Sequence, residues 1–280
     1  MSRVLICLLL MLQSPALRAN TLAQFRTYYG DLEVELYDQD KPITVANFLR
    51  YVRAGLYQDT FLHRCDPNFV IQGGGFYADA ALPPYIHPIP VFPPIPNEFG
   101  VGTRYSNLYG TIAMAKLGGD TNSATSQWFI NLKDNPFLDA PNSNSYFTVF
   151  GKVIRGTNAV LNRFRNFSVS NTRSNIIRNY SLVYGPSFGE LPLLSTNATL
   201  DDLLLVDITL LNVQVEKLTN GSRRISWNSV LNRTNYVEFT TNIPPNWQTL
   251  RATNGTGNNI AITDSNATAP RRFYRIRVQY

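Results

Sequence analysis

The residues best suited to chemistry lie in two short segments of the chain. The first spans residues 61–76 and holds one arginine, Arg64, among apolar and aromatic side chains, a glutamine and three consecutive glycines. The second spans 110–115, continues at 126–131, and adds another glutamine and phenylalanine. Neither segment pairs a nucleophile with a base or gathers metal ligands. This set favours a pocket that holds an apolar ring and hydrogen-bonds an amide without breaking a covalent bond.

The two segments resemble the signature segments of the cyclophilin-type peptidyl-prolyl cis-trans isomerases, and the sequence Phe-Gly-Lys-Val at 150–153 resembles the strand that follows the pocket in that family. The similarity extends over roughly residues 23–213. It implies a mainly β fold, an eight-stranded antiparallel barrel capped by two helices. It also implies an isomerase that acts on proline-containing polypeptides and needs no metal or cofactor.

The resemblance assigns catalysis to Arg64. An X–Pro amide isomerises slowly because twisting breaks its partial double bond. In the twisted state the prolyl nitrogen becomes a hydrogen-bond acceptor, so a fixed donor stabilises the transition state more than the planar ground state. Arginine fits this role because it carries five donors and stays charged.

The resemblance also implies the remaining site residues. Beside Arg64, the expected catalytic residues are Phe69 and Gln72, and the expected substrate-binding residues are Val70, Met114, Ala115, Lys116, Gln127, Phe129, Phe137, Leu138 and Phe147. Phe69, Phe129 and Leu138 are expected to form the ring pocket, with Val70 and Met114 at its edges.

The polar members of the site have separate expected roles. Gln72 is expected to hold Arg64 and the substrate amide, and Gln127 to hydrogen-bond the substrate or support the site from behind. The backbone of Ala115 and Lys116 is expected to pair with the residues that precede proline.

Three positions depart from the family pattern. Val70 stands where many relatives have methionine, so part of the pocket wall is shorter. Phe137 stands where the members that bind cyclosporin strongly have tryptophan, which predicts weak or no cyclosporin binding. Phe147 replaces a histidine of eukaryotic members. His63 precedes the arginine, and the family uses that histidine structurally rather than as a base.

The N-terminal 19 residues read as an export signal. Arg3 is followed by a short apolar run from Val4 to Leu12 and by a small-residue site at Ala19. Nine apolar residues are too few to cross a bilayer, which needs about 20. The sequence therefore predicts a mature protein that is periplasmic or secreted. Its one remaining cysteine, Cys65, cannot form a disulfide within the chain.

Periodicity predicts the elements that position the site. Residues 31–37 alternate as a half-buried strand, joined by a turn to the strand before it. Residues 42–53 have helical spacing with Thr44 as the expected cap. A second helix is expected at 159–164 and a long closing strand at 202–213. These elements belong to a predicted isomerase domain at 20–214.

Two stretches interrupt this plan. Residues 82–96 contain seven prolines and predict an extended surface loop, which is either a rigid connection or a ligand for aromatic-lined partners. Residues 166–195 form a polar insertion rich in Asn, Ser and Arg, whose function the sequence does not indicate.

Residues 215–280 have a different character. They carry nine Lys and Arg against three Asp and Glu, and their short strands separated by turns predict a small β-sandwich that resembles fibronectin type III modules. The basic balance favours either a solvated face or contact with an anionic surface. Nothing in the sequence indicates nucleic acid binding.

The sequence supports two functions. The first is a prolyl isomerase that assists the folding of exported proteins. The alternative is a catalytically idle protein of the same fold that binds proline-containing segments or serves surface adhesion. The residues retained around Arg64 favour catalysis.

Overall fold

A computed structural model of the chain describes residues 20–81, 85–140, 146–210, 213–229, 234–242, 245–256, 259–267, 269 and 271–279. The signal predicted at 1–19 lies outside the described residues. Among those that are described, no helix has the length and apolar character needed to cross a membrane.

The strands are β1 Leu22–Thr27, β2 Gly30–Leu36, β3 Thr60–Phe61, β4 Arg64–Cys65, β5 Val70–Gly73, β6 Phe76–Ala78, β7 Ile86–Pro88, β8 Thr111–Met114, β9 Trp128–Asn131, β10 Val149–Arg155, β11 Ser174–Arg178, β12 Leu191–Ser195, β13 Leu205–Leu210, β14 Gln214–Lys217, β15 Arg223–Asn228, β16 Thr234–Thr240, β17 Gln248–Asn254, β18 Asn259–Asp264 and β19 Phe273–Gln279. The helices are α1 Pro42–Arg53, α2 Asn162–Phe164 and α3 Ser181–Tyr184. Short 3-10 turns lie at Pro136–Asp139, Pro186–Phe188 and Leu200–Asp202, and a π-helical turn at Thr157–Leu161.

The main sheet is antiparallel and curls around the principal core. Within the described residues it has eleven strands in the order β4-β5-β9-β8-β10-β2-β1-β13-β3-β6-β7. Aromatic side chains fill its concave side, where Phe25 stacks on Phe48 of α1 and meets Trp128 edge-on at 4.9 Å between ring centroids. The mainly β fold expected from the sequence is confirmed.

Helix α1 has the predicted bounds but a different cap. Pro42 begins it, and its buried face carries Val45, Phe48 and Leu49. Thr44 is buried and does not cap the helix. The Glu98 carboxylate instead accepts the backbone N–H groups of residues 43 and 44 at 3.1 and 2.6 Å. A carboxylate at this end is favourable because the N–H groups there lack partners and the helix dipole is positive.

Two other predicted elements differ in detail. The helix predicted at 159–164 lies within a continuous helical stretch, in which a π-helical turn at Thr157–Leu161 continues into α2. In the described residues the closing strand predicted at 202–213 is β13, which begins only at Leu205 because Asp202 belongs to a 3-10 turn in which its carboxylate accepts the Thr199 N–H at 3.0 Å. That local hydrogen bond competes with strand pairing.

The described parts of the two interrupting stretches are structured. Part of the proline-rich stretch forms β7, and Phe92 packs on Tyr51 of α1 beneath the Arg50 guanidinium, 3.5 Å from its ring centroid. The polar insertion pairs β11 with β12 and supplies a second small core. In that core Phe188 meets Phe76 of the main sheet at 4.7 Å.

The C-terminal residues form two small antiparallel sheets, β14-β15-β18 and β17-β16-β19. Buried Ile225 and Trp227 of the first sheet pack with Val237 and Ile276 of the second. This core is distinct from that of the main sheet. Trp227 is a core residue, and its indole N–H donates to the Asn235 side chain at 3.1 Å.

Candidate active site

A single row of side chains crosses five strands of the main sheet. Arg64 of β4 lies opposite Gln72 of β5, which lies opposite Phe129 of β9. Phe129 in turn lies opposite Ala113 of β8, and Ala113 opposite Val149 of β10. Partners in register point to the same face of a sheet. Two separate sequence segments therefore build one continuous surface.

The opposite face of these strands is closed core. Side chains alternate along a strand, so Ile112 and Met114 face inward while Ala113 and Ala115 face the row of Arg64. Met114 accordingly differs from its prediction: it is 2 % exposed, belongs to the principal core and lines a cavity of about 10 Å³ apart from the pocket aromatics.

The three glycines make room for side chains of β9 and the residue before it. A Cβ on Gly73 would lie 2.8 Å from the Trp128 indole, and one on Gly74, whose φ is +76°, would lie 2.7 Å from it. A Cβ on Gly75 would meet the Gln127 amide at 2.9 Å. The run therefore serves close packing, which explains it without a bound phosphate.

Most of the predicted pocket residues meet in one apolar cluster. Its members among the predicted residues are Phe69, Val70, Ala115, Phe129, Leu138 and Phe147. Phe129 meets Phe147 edge-on at 5.5 Å. Phe137 is 55 % exposed, and its ring stacks on that of Phe69 with 5.6 Å between the ring centroids. The cluster thus has a buried floor and an aromatic rim.

Buried amides hold this rim in place and were not predicted from the sequence. Asn135 donates to the Phe69 carbonyl at 3.0 Å and to Asn131 at 2.8 Å. Asn107 donates to Asp139, at the end of the 3-10 turn that carries Phe137, at 2.7 Å. The turn is therefore fixed by these hydrogen bonds as well as by the packing of Leu138, and residue type alone does not reveal the role of the amides.

Arg64 has a partner that the sequence did not indicate. Its Nε–H donates to the Glu190 carboxylate at 2.7 Å, and its guanidinium carbon lies 5.5 Å from the Phe69 ring centroid. Gln72, expected to hold Arg64, instead donates to Gln127 at 2.8 Å. The two glutamines therefore form their own pair beside the arginine.

The segment around Lys116 departs from expectation in two respects. The Ala115 N–H donates to the Gln127 carbonyl at 2.9 Å, so this N–H is already engaged within the chain. The Lys116 ammonium lies 4.5 Å from the Phe147 ring centroid. Arg64 is thus accompanied by a second cation at the rim, and partial burial lowers the pKa of that lysine.

The neighbours of Arg64 along the chain offer no acid–base or nucleophilic chemistry. His63 is buried against Phe76, and burial together with the Arg64 charge lowers its pKa to about 3, which the Gln127 amide only partly offsets. The ring is therefore neutral at physiological pH. Burial raises the pKa of the Cys65 thiol far above its ordinary value. In the part of the chain that the structure describes, no group of acidic, histidine and cysteine side chains is arranged to hold a metal.

Comparison with protein families identifies one match. The family described as cyclophilin type peptidyl-prolyl cis-trans isomerase/CLD matches residues 22–180. The matched region includes every predicted site residue and ends before Glu190.

Several proteins of the same description are similar to this chain. A peptidyl-prolyl cis-trans isomerase of Acinetobacter baylyi is 41 % identical over 160 residues, which cover 57 % of this chain and 80 % of that protein. Peptidyl-prolyl cis-trans isomerase A of Dickeya dadantii is 43 % identical over 145 residues, covering 51 % and 72 %. The crystal structure of a Cryptosporidium parvum cyclophilin, determined in the presence of the dipeptide Ala-Pro, aligns with a TM-score of 0.46 at 22 % identity, covering 68 % of this chain and 99 % of that one.

Proposed function

The chain belongs to the cyclophilin type peptidyl-prolyl cis-trans isomerase family, and on that premise we propose that Arg64 is the residue through which it accelerates rotation about X–Pro bonds. The observation that carries this assignment is the row from Arg64 through Gln72 to Phe129, which sets a charged donor beside an apolar cluster on one face of the sheet. A proline presents the complementary combination, an apolar ring next to an amide nitrogen that can accept a hydrogen bond.

Arg64 retains donors for a substrate. Its Nε is engaged by Glu190, whereas its terminal Nη groups make no hydrogen bond to the residues that the structure describes. One such group aimed at the prolyl nitrogen stabilises the twisted amide, where that nitrogen accepts a hydrogen bond, and not the planar one. A charge-assisted hydrogen bond of about 1.5–3 kcal/mol accelerates rotation roughly tenfold to a few hundredfold.

The apolar cluster supplies the remaining recognition. Burying the three methylene groups of a proline ring contributes about 2 kcal/mol at about 0.8 kcal/mol each. Phe69, Phe129 and Leu138 belong to this cluster and are expected to cover such a ring, with Phe137 as the exposed rim. Without an indole N–H at position 137, cyclosporin binding is weak.

The wider setting proposed here is export and surface contact. The charge and apolar run of residues 1–19 support removal of that segment, and N-terminal sequencing of the mature protein should begin at Asn20. The fibronectin-like module at 215–280 serves localisation. Arg224 and Arg251 line a groove of about 440 Å³ there, together with Thr253 and Thr263, which suits an anionic polymer or surface.

The catalytic assignment is tested by exchange spectroscopy on a short X–Pro peptide with wild type and Arg64→Ala. We expect Arg64→Ala to lose at least tenfold in turnover while its circular dichroism stays native. Arg155→Ala is the matched control, because Arg155 also donates to a glutamate at 2.7 Å but lies on a different part of the surface. Wild-type turnover in a folded Arg64→Ala protein would refute the assignment.

A further inference from the structure

We infer that Glu190, carried by the insertion at 166–195, is a positioning residue for the catalytic arginine. The inference rests on the proposed role of Arg64 and extends it to a part of the chain beyond the family match, which ends at residue 180. Glu190 is the only carboxylate in the insertion.

The insertion presents this carboxylate rigidly. Buried residues anchor both sides of Glu190: Phe188 packs on Phe76 at 4.7 Å, and Leu191 is 2 % exposed at the start of β12. The Glu190 carbonyl also accepts the Cys65 N–H at 2.9 Å, which ties the insertion to the residue next to Arg64. Backbone and side chain of one residue therefore both bind β4.

The contact with Glu190 fixes the orientation of the Arg64 guanidinium and does not occupy its terminal amino groups. An arginine side chain has several rotatable bonds, and an acceptor on Nε fixes the plane of the fork without occupying its terminal amino groups. At 34 % and 40 % exposure the two side chains are reachable by solvent. The pair is therefore suited to orienting Arg64 at the pocket rim more than to adding stability.

Orientation has a kinetic consequence. The guanidinium is needed most when the amide is twisted, so loosening it lowers kcat more than it raises KM. We expect Glu190→Ala to reduce kcat about two- to fivefold, the size typical of coupling between exposed charges. Glu190→Gln retains an oxygen that can accept the Nε–H and should keep more activity than Glu190→Asp, whose carboxylate is one methylene short of Arg64.

The decisive experiment is a double-mutant cycle with Arg64→Lys, measured by the same exchange assay. A lysine has no Nε–H of this geometry, so Glu190→Ala should have no further effect on kcat in that background. Glu33→Ala is the matched control, because it removes another 2.7 Å ion pair, to Arg155, away from the site. Circular dichroism and hydrogen exchange of β11 and β12 confirm that the insertion stays folded.

Three outcomes would overturn the inference: unchanged kcat in a folded Glu190→Ala protein, an equal loss in both arginine and lysine backgrounds, or full activity in Glu190→Asp with loss in Glu190→Gln. Each is distinguishable from failure of the proposed function. If Arg64→Ala keeps wild-type turnover, the arginine assignment itself falls; if Arg64→Ala is inactive and Glu190→Ala is normal, only the role of Glu190 falls.

Discussion

Arginines meet carboxylates in two regions of this molecule, with different results. In the isomerase region a single carboxylate, Glu190, binds the Nε of Arg64, and both side chains keep more than a third of their exposure. In the C-terminal module Glu238 accepts hydrogen bonds from Arg275 at 2.6 Å and Arg277 at 2.9 Å, and it is only 7 % exposed. In the first arrangement a partly exposed carboxylate holds one arginine, whereas in the second a buried carboxylate of β16 holds two arginines of β19 and so joins two strands.

Aromatic rings reinforce the contrast. Arg275 lies 4.4 Å from the Trp247 ring centroid and Arg277 lies 4.0 Å from that of Tyr236, so both guanidinium groups are covered on one side. Among the basic residues of 215–280 that the structure describes, three form ion pairs, Arg272 with Asp264 being the third. Net charge therefore overstates how many cations this module can offer to an anionic partner. The burial of the carboxylate, 7 % exposed for Glu238 against 40 % for Glu190, and the number of arginines that it binds distinguish the cross-link from the candidate site.

The largest expected effect is on the stability of the module. Glu238→Ala leaves two arginines without their carboxylate and should destabilise the module by about 2 kcal/mol, less than the 3–5 kcal/mol of fully buried pairs because the arginines are partly exposed. Hydrogen exchange should show faster exchange in β16 and β19 and no change in β1 and β2. Glu190→Ala, measured the same way, should cost less than about 1 kcal/mol. Equal losses in both variants would remove the distinction between the two pairs.

Acidification should distinguish the regions without mutation. Burial alone would raise the pKa of Glu238, but the hydrogen bonds from Arg277 and Arg275 outweigh it and hold the pKa below its ordinary value. A lowered carboxyl pKa contributes stability that is complete above the unfolded-state pKa of about 4.3 and is lost as the pH falls through the folded-state pKa. Exchange in β16 should therefore accelerate below about pH 4, and Glu238→Gln should flatten that dependence. Identical pH profiles for wild type and Glu238→Gln would contradict this account.

A smaller effect is expected at the open rim of the isomerase region. Phe137 is exposed and stacks on Phe69, so a tryptophan can occupy the position with its N–H directed to solvent or ligand. Phe137→Trp should tighten cyclosporin binding by about 1 kcal/mol, roughly fivefold, through one added hydrogen bond. Calorimetric titration measures the change, with Phe137→Leu as the control that removes the ring. Equal affinity for wild type and Phe137→Trp would show that this position does not govern recognition.

Local patterns in the sequence predicted local structure well. Helix α1 follows from its apolar spacing and the proline at its start, and the β1–β2 hairpin from alternation on both sides of Gly30. The alternation along β8 also predicts the face on which Met114 lies. It puts Met114 on the core face with Ile112, opposite to the face that carries Ala113. At this position strand alternation is a better guide than the family resemblance, which predicts Met114 at the pocket edge.

Contacts between distant segments were not predictable in the same way. Glu190 lies 126 residues from Arg64 and Glu98 lies 54 residues from Thr44, so no periodicity connects either carboxylate to its partner. Glu190 belongs to the insertion, whose composition indicated no function, and Glu98 follows the proline-rich stretch. A second core holds the insertion and the start of α1 holds the Glu98 carboxylate, and both depend on tertiary neighbours rather than on local propensity.

The smallest effect on turnover is expected from removing the C-terminal module. Every proposed site residue lies upstream of it, its apolar core is separate from that of the main sheet, and β14 begins its first sheet at Gln214. A chain truncated before Val213 should therefore isomerise short X–Pro peptides within about twofold of wild type, since no proposed donor or pocket residue is removed. It should also lose retention on an anionic matrix. This retention is expected to be salt-sensitive, because exposed charges are screened over about 10 Å at 0.1 M salt. Replacing Arg224 and Arg251 by glutamine in the full chain is the matched control, which should weaken retention while leaving the module folded.

At about 65 residues the module is small for an independent domain, so its attachment can also stabilise it. If the truncated protein unfolds or loses activity on short peptides, the two regions form one cooperative unit. The different roles of the Arg64–Glu190 pair and of the Glu238 ion pairs would then not follow a domain boundary.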